Sequence, residues 1–486
     1  MSAPSNITLV RGLTLIAAVS IVIGNIVGTG VFLKTRVMTC NVGTPGMVVG
    51  VWIAAGLLSL AGALTYAELA AMMPRAGGEY IFMREAYGAP WGFLYGWMQV
   101  FIAKTGSQAS LAVAFASFLN ILTDNAFNHN FFTLYIFNLV IPFGTLQTIA
   151  LGIIALVTLI NCAAVSVSGG VATVLTGVKI ALVLGIGCGA FFLAKSGDWS
   201  HFSMSNAGGT CEGVGAAARY GFAGFGAAML GALWGYDGWN NLTLVAGEVK
   251  NPQRNIPLAL IGGMITVVSL YVFINVAYFY VLTPTEIASI PAPPASSVAT
   301  EAARTFLGPV AVSLIAASLV ASSFGSLHTS VLTGARVPYA MARDRLFFQS
   351  LARLSARTRV PTGALILQGV WASLLALSGS FDTLTDYVIF GSWIFYGLVT
   401  ASVFIFRRRM PDATRPYHAW GYPIVPALFL LVTVWLLINT LIATPVQAFI
   451  GLGLIALGLP FYYYWARTNR ISDEERQEME AVSDER

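Results

Sequence analysis

Charge is scarce in this chain. Only 10% of its 486 residues are Asp, Glu, Lys or Arg, 57% are hydrophobic, and the mean hydropathy is +0.75. A soluble domain carries about 25% charged residues, so the composition is that of a polytopic membrane protein. Cysteine is equally thin, and four residues are too few for a disulfide scaffold. Cys162 and Cys188 sit in apolar runs. Cys40 and Cys211 fall in loops on the same face, where they could pair, although pairing is not the expectation. The four histidines show no metal-ligand spacing, and no GxxxxGK[ST] loop, HExxH or apposed Ser/His/Asp set is present. The sequence therefore calls for no cofactor and no metal, it disfavours an enzyme, and it excludes an ATP-driven pump. The pI near 9.0 is explained by membrane orientation better than by a nucleic-acid partner.

Runs of about 20 apolar residues fall at 14–36, 46–72, 91–119, 145–166, 171–194, 221–247, 257–282, 306–340, 363–380, 386–406, 423–442 and 446–466. The expected class is an all-α membrane protein with twelve spans. The first run is too long for a signal-peptide core and is read as a retained helix. The segment 121–144, broken by Asp124, His129 and Pro142, is read as a loop with at most a short helix. Most Lys and Arg residues, among them Arg11, Arg75, Arg84, Arg336, Arg343, Arg407 and Arg409, gather on one side. The positive-inside rule then places both termini in the cytoplasm of a cell whose inner membrane holds the protein. The loop 73–89 reads as amphipathic, the loop 341–361 as lying along the cytoplasmic interface, and the charged stretch from Ile471 as a solvated tail.

Two spans interrupt themselves. The first contains Gly24-Asn25-Ile26-Val27-Gly28-Thr29-Gly30, poor helix material in the middle of an apolar run. Unpaired backbone in hydrocarbon costs several kcal/mol per group unless protein or a water-filled cavity receives it. A half-helix starting near Gly28 offers free N–H groups and a positive dipole end to an anion. The preceding half offers carbonyls to a cation, and the pair suits a zwitterion. The bland alternative is a Gly-rich helix packing closely on a neighbour. The sixth span repeats the pattern in Gly231-Ala232-Leu233-Trp234-Gly235-Tyr236-Asp237-Gly238, with Gly231 and Gly235 at one common offset from Gly24 and Gly28. Paired interrupted helices at corresponding places in two inverted halves point to a transporter's midplane site.

The stretch Gly24 to Phe32 resembles the first-helix signature of the amino acid–polyamine–organocation superfamily. Leu233 to Asn240, followed by Glu248-Val249-Lys250-Asn251-Pro252, is similar to the sixth helix and next loop of its L-type amino acid transporter branch. Pro74 to Tyr80, Gly334-Ala335-Arg336 and Arg415-Pro416-Tyr417 add to the resemblance, which covers residues 10–466. It implies a five-plus-five inverted-repeat, leucine-transporter-like fold. In that division 1–13 is a cytoplasmic tail, 14–194 the first repeat, 221–406 the second, 423–466 two extra helices and 467–486 a second tail. It also implies alternating-access transport of amino acids.

By the same resemblance the substrate carboxylate meets backbone at Val27, Gly28, Thr29 and Gly30, and the ammonium meets carbonyls near Ile23, Ile26 and Trp234. Trp234, flanked by Gly235 and Tyr236, is the expected gate or side-chain platform, and Ser107 faces the cavity by analogy. Asn25 and Asn240 can hydrogen-bond the unwound backbone. Lys179 lies about eight residues, hence roughly 12 Å, from the start of its helix. A lysine there costs about 2.5–3.5 kcal/mol on insertion scales, so a functional role outweighs snorkelling to the interface. In sodium-independent relatives a matching lysine replaces a sodium ion and bridges to hydroxyls of the eighth helix, for which Ser322 and Ser323 are the candidates. Asp237 could pair with a basic substrate, titrate, or stay neutral and hydrogen-bonded. Lys104 could be structural, while Glu68, Glu79, Arg84, Arg343 and Asp344 read as a cytoplasmic network.

The expectation is a sodium-independent exchanger of neutral L-amino acids with room for cationic ones. A proton-coupled symporter using Asp237 or Lys179 is the alternative within carriers, and an ion channel the alternative outside them. Expected partners are an amino acid substrate and the lipid bilayer, with no nucleic acid. Animal members of the branch join a glycoprotein heavy chain through a cysteine between the third and fourth helices. Residues 120–144 contain none, so no disulfide-linked heavy chain is expected.

Overall fold

The computed structural model describes residues 8–136, 139–291, 296–377, 381–443 and 445–468. Its helices are α1 (Leu15–Ile26), α2 (Gly30–Val42), α3 (Pro45–Met72), α4 (Glu79–Tyr87), α5 (Ala89–Met98) and α6 (Lys104–Leu122). After a hairpin of β1 (Asn130–Ile136) and β2 (Leu139–Gly144) come α7 (Thr145–Asn161), α8 (Val165–Leu193), α9 (Gly221–Gly235) and α10 (Pro252–Val281). Then follow α11 (Pro284–Ser289), α12 (Val298–Leu307), α13 (Val310–Gly334), α14 (Arg336–Arg343) and α15 (Thr362–Leu377). The last are α16 (Phe381–Arg409), α17 (Ile424–Ala443), α18 (Pro445–Ala456) and α19 (Gly458–Thr468). The segments expected to span are helical over most of their described residues. Eight stretches among the described residues are long and apolar enough to cross a membrane, and α7 and α15 are shorter apolar helices.

Local chemistry sets several of these boundaries. Thr14 caps α1 by accepting from the Ala17 amide at 3.3 Å, and Thr44 caps α3 ahead of Pro45 in the first turn. The reading of 121–144 as a loop with at most a short helix is corrected. The segment 130–144 is an antiparallel hairpin, with Leu134 opposite Ile141 and Ile136 opposite Leu139. The expected solvated tail from Ile471 lies outside the described residues.

The helices pack as one bundle. α1 lies against α8, α10 and α13, α3 against α10, α6 against α7, α13 and α15, and α2 against α9. Small residues allow this closeness. A Cβ on Gly62 of α3 would stand 2.8 Å from the Trp239 ring, so that buried indole fits only against glycine.

The basic end is held by ion pairs. Arg336 meets Glu248 through two bonds of 2.6 and 2.8 Å, with both side chains fully buried. Glu68 accepts from Arg407 at 2.7 and 3.0 Å and from the Ala419 amide at 2.6 Å. Arg84 pairs with Asp344. Leu13 pairs in parallel with Val249 and so ties the start of the chain to the segment after the second break. The opposite end corrects a second expectation. Cys40 and Cys211 are joined by a disulfide, and Cys40 lies within α2, not in a loop.

Candidate functional site

Both expected interruptions are present, and they meet. α1 stops at Ile26, Val27 leaves the helical region at φ −71°, ψ 87°, and α2 restarts at Gly30. α9 stops at Gly235, and Gly238 turns the chain at φ +98° into a 3₁₀ segment, Trp239–Glu248. A Cβ on Gly30 would come within 3.0 Å of the Gly235 Cα, so the two breaks touch where neither carries a side chain. Tyr271 of α10 pins them together, its hydroxyl shared between the carbonyls of Ile26 at 2.9 Å and Gly235 at 3.0 Å. The amides of Gly28, Thr29 and Gly30 find no backbone acceptor among the described residues. An exposed helix start of this kind favours an anion.

A cavity of about 130 Å³ opens at the breaks. At ~10–15 Å³ per water on this measure, it has room for roughly ten waters. Of the residues nominated from sequence, Asn25, Ile26, Gly28, Thr29, Gly30, Ser107, Trp234, Gly235 and Asp237 line it. Ile23, Val27 and Tyr236 do not. The Ile23 carbonyl accepts the Val27 amide, the Val27 carbonyl accepts from Ser322 at 3.3 Å, and the Tyr236 hydroxyl is buried against the Trp52 carbonyl at 3.0 Å. Trp234 is half-buried on the cavity wall, with the Lys34 ammonium 4.7 Å from its ring centre.

Lys179 is buried behind the first break. Its ammonium donates to the Gly24 carbonyl at 2.8 Å and to the Ser326 hydroxyl at 2.7 Å. This corrects the nomination of Ser322 and Ser323 as its partners. Ser326 lies one turn beyond Ser322, and Ser323 has no partner among the described residues. The Ser326 hydroxyl also lies 3.2 Å from the Gly24 carbonyl, closing a three-membered cluster.

Two further polar lines run from the cavity. Lys104 donates to Asn241, whose amide donates to Asn25 at 3.0 Å, and Asn25 in turn donates to the Ile21 carbonyl at 2.8 Å. Asp237, open to the cavity, accepts from the Tyr396 hydroxyl at 2.7 Å. The same hydroxyl reaches Asn240 at 3.4 Å, and Asn240 donates to Glu79 at 2.5 Å. Thr243 donates to the other Glu79 oxygen at 2.8 Å. Glu79 therefore serves the second break and not the ion-pair network in which sequence placed it. Glu79 lies on α4, a nine-residue helix too short to span. Burial raises its carboxyl above the ordinary carboxylate range, against bonds from Asn240 and Thr243 that pull it down.

Sequence reasoning missed Tyr271, Tyr396, Ser326 and Asn241. The tyrosines sit in unbroken apolar runs and carry no local signal. Asn241 was legible, being polar and three residues past the second break. Among the described residues no cluster of His, Cys, Asp or Glu could hold a metal.

The description of the amino acid permease family matches residues 13–465. The chain is 32% identical over 453 residues to the Serine/threonine exchanger SteT of Bacillus subtilis (strain 168), covering 92% of this chain and 95% of that protein. It is 29% identical to the b(0,+)-type amino acid transporter 1 of Homo sapiens over 463 residues, 95% of this chain and 89% of that one. With the Large neutral amino acids transporter small subunit 2 of Oryctolagus cuniculus it shares 30% over 471 residues, 96% and 82% of the two chains. The broken helices, the shared cavity and these full-length similarities agree, and the chain belongs to the amino acid permease family of multi-pass membrane transporters, which are not enzymes.

Proposed function

We propose that the protein is a sodium-independent exchanger of neutral L-amino acids. It works by alternating access through twelve spans arranged as two inverted repeats, 14–194 and 221–406, with two further helices at 423–466. The substrate carboxylate binds the amides of Gly28, Thr29 and Gly30. The ammonium binds carbonyls at the same breaks, where Ile26 is the better placed because it lines the cavity, while Ile23 does not and its carbonyl accepts the Val27 amide. Trp234 closes over the side chain. The protein resides in the cell membrane with both termini cytoplasmic and acts without a disulfide-linked heavy chain.

The observation that carries this reading is Lys179. Its ammonium holds the Gly24 carbonyl and the Ser326 hydroxyl, joining the broken first helix to α13. A tethered cation at that place does what a bound sodium ion would do, so no ion need accompany the substrate. The relatives named exchangers or transporters of amino acids support the substrate class. The fully buried Arg336–Glu248 pair and the Leu13–Val249 bridge support closure at the basic end.

The test is uptake of labelled amino acids into proteoliposomes, preloaded or empty, with and without sodium and a pH gradient. Uptake that needs internal amino acid and ignores both gradients is expected. Uptake into empty vesicles driven by protons would replace the exchanger with a symporter. Sodium dependence would refute the role given to Lys179.

A further inference from the structure

The loop between α14 and α15 concentrates positive charge far from the cavity. Residues 345–361 hold four arginines, Arg345, Arg353, Arg357 and Arg359, and no acidic residue. Asp344, just before them, is already engaged by Arg84 and by the Tyr80 hydroxyl at 2.7 Å. Arg353, Arg357 and Arg359 are exposed, whereas Arg336 and Arg407 at the same end each hold a buried carboxylate. Arg357 and Arg359 ride on a tight turn. The Ser355 amide donates to the Val360 carbonyl at 3.0 Å, and the Arg359 amide to the Ser355 carbonyl at 2.9 Å. Aromatic residues set the depth of this loop in the membrane. The Phe348 ring is 54% exposed and lies 5.3 Å from that of Trp465 on α19, and buried Phe347 lies 5.1 Å from the same indole. Beside Trp465, Tyr463 and Tyr464 are exposed, and tyrosine and tryptophan gather at the membrane–water boundary. Phe348 therefore stands at headgroup level, with the arginines a few residues further along the same loop.

We propose that Arg353, Arg357 and Arg359, with Phe348 beside them, form a docking surface for the headgroups of anionic phospholipids in the leaflet at the basic end. A guanidinium presents a planar fork that matches two phosphate oxygens. A basic residue held near an anionic membrane surface strengthens binding by about fivefold. The exposed ring adds the second half of an interfacial anchor, an apolar group that enters the boundary between headgroups and chains. That ring also decides the occupant. A soluble phosphate would gain nothing from Phe348, whereas a lipid offers a phosphate to the arginines and apolar chains to the ring. The loop leads directly out of α14, whose Arg336 holds Glu248. A headgroup bound there therefore steadies the closed basic end, and its binding is read in the stability of the whole chain.

The test is thermal melting of the purified, delipidated full chain in a neutral detergent. It is titrated with phosphatidylglycerol, with phosphatidylcholine of the same chains, or with inorganic phosphate. Phosphatidylglycerol is expected to raise the melting temperature by several degrees, and the other two to leave it near its starting value. Raising NaCl to about 0.5 M should weaken the shift, because exposed charges are screened. Replacing Arg353→Gln, Arg357→Gln and Arg359→Gln together should leave the lipid-free melt unchanged and raise the phosphatidylglycerol needed for the same shift by about tenfold or more. If the triple variant fails to fold, Arg357→Gln and Arg359→Gln are read singly, each with a rise of about fivefold. Equal shifts from the two lipids overturn the proposal, since charge then plays no part. Inorganic phosphate acting as well as the lipid overturns it too, leaving only an anion site. A folded variant that keeps the wild-type response to phosphatidylglycerol shows that the lipid acts elsewhere. None of these readings depends on transport, so they stand apart from the exchange experiment.

Discussion

Lys179→Ala separates transport from folding. The lysine makes two charge-assisted bonds, to the Gly24 carbonyl at 2.8 Å and to Ser326 at 2.7 Å. Hydrogen bonds to charged groups contribute about 1.5–3 kcal/mol each. Ser326 already stands 3.2 Å from the Gly24 carbonyl and can take over that acceptor. The loss therefore falls at the low end of the sum, about 3 kcal/mol. At ~1.4 kcal/mol per tenfold, that is roughly a hundredfold loss in the population that keeps the first break docked on α13. Folding is spared for a separate reason. Both partners are neutral dipoles, so alanine strands no opposite charge, unlike the severing of a buried ion pair. The expected result is an initial exchange rate in proteoliposomes lowered about a hundredfold. The variant should remain monodisperse in detergent and melt within a few degrees of the wild type. A folded variant that exchanges at the wild-type rate would refute the reasoning.

Three further outcomes are expected. Arg336→Met and Glu248→Met should each destabilise by about 3–5 kcal/mol by leaving a charge buried alone, while the double variant loses much less. Thermal melts of the four proteins form the cycle, and additive shifts would show that the pair is uncoupled. Burial lifts the Glu79 carboxyl above its unfolded value, so its favourable contribution is complete below about pH 4.3 and is lost as pH rises through the folded value. The melting temperature should therefore fall over that range, and Glu79→Gln should flatten the fall; parallel curves for the two proteins would contradict this. Cys40→Ser should cost about 2–4 kcal/mol. Dithiothreitol should lower the wild-type melt by a similar amount and leave the variant unmoved, and equal sensitivity of both would count against the bond.

The breaks were legible because glycine, Asn and Thr have no reason to interrupt an apolar run unless the backbone is needed there. Their meeting was not legible. It depends on Tyr271, which looks like any aromatic in α10, and on the bare approach of Gly30 to Gly235. Lys179 stood out by its depth, but its partner did not. Ser322, Ser323 and Ser326 are alike in sequence, and only the rotation of α13 decides which hydroxyl faces the lysine. The hairpin at 130–144 was hidden by its polar interruptions and by Pro142, which argued against regular structure. The disulfide was hidden by a separation of 171 residues, across which spacing carries no geometric information.

The turn at Gln99–Ala103 is an α-helix with one residue too many. The Lys104 amide reaches back five residues to the Gln99 carbonyl, and the Thr105 hydroxyl reaches the Val100 carbonyl at 2.9 Å. Each residue rotates an α-helix by about 100°. The wide turn takes up that rotation, because Lys104 stands where a plain α-helix would place Ala103, so deleting a single residue from it would leave α6 facing as it does. Lys104, Ser107, Leu111 and Ala114, which recur every three or four positions and line the cavity, would keep their places, and only the wide turn at Gln99–Ala103 would be lost. A relative one residue shorter here could keep the same sequence along α6 and present the same stripe, differing only at the turn. Alignments of this region therefore have to be judged by where they place the gap, before the identity of any lining residue is compared.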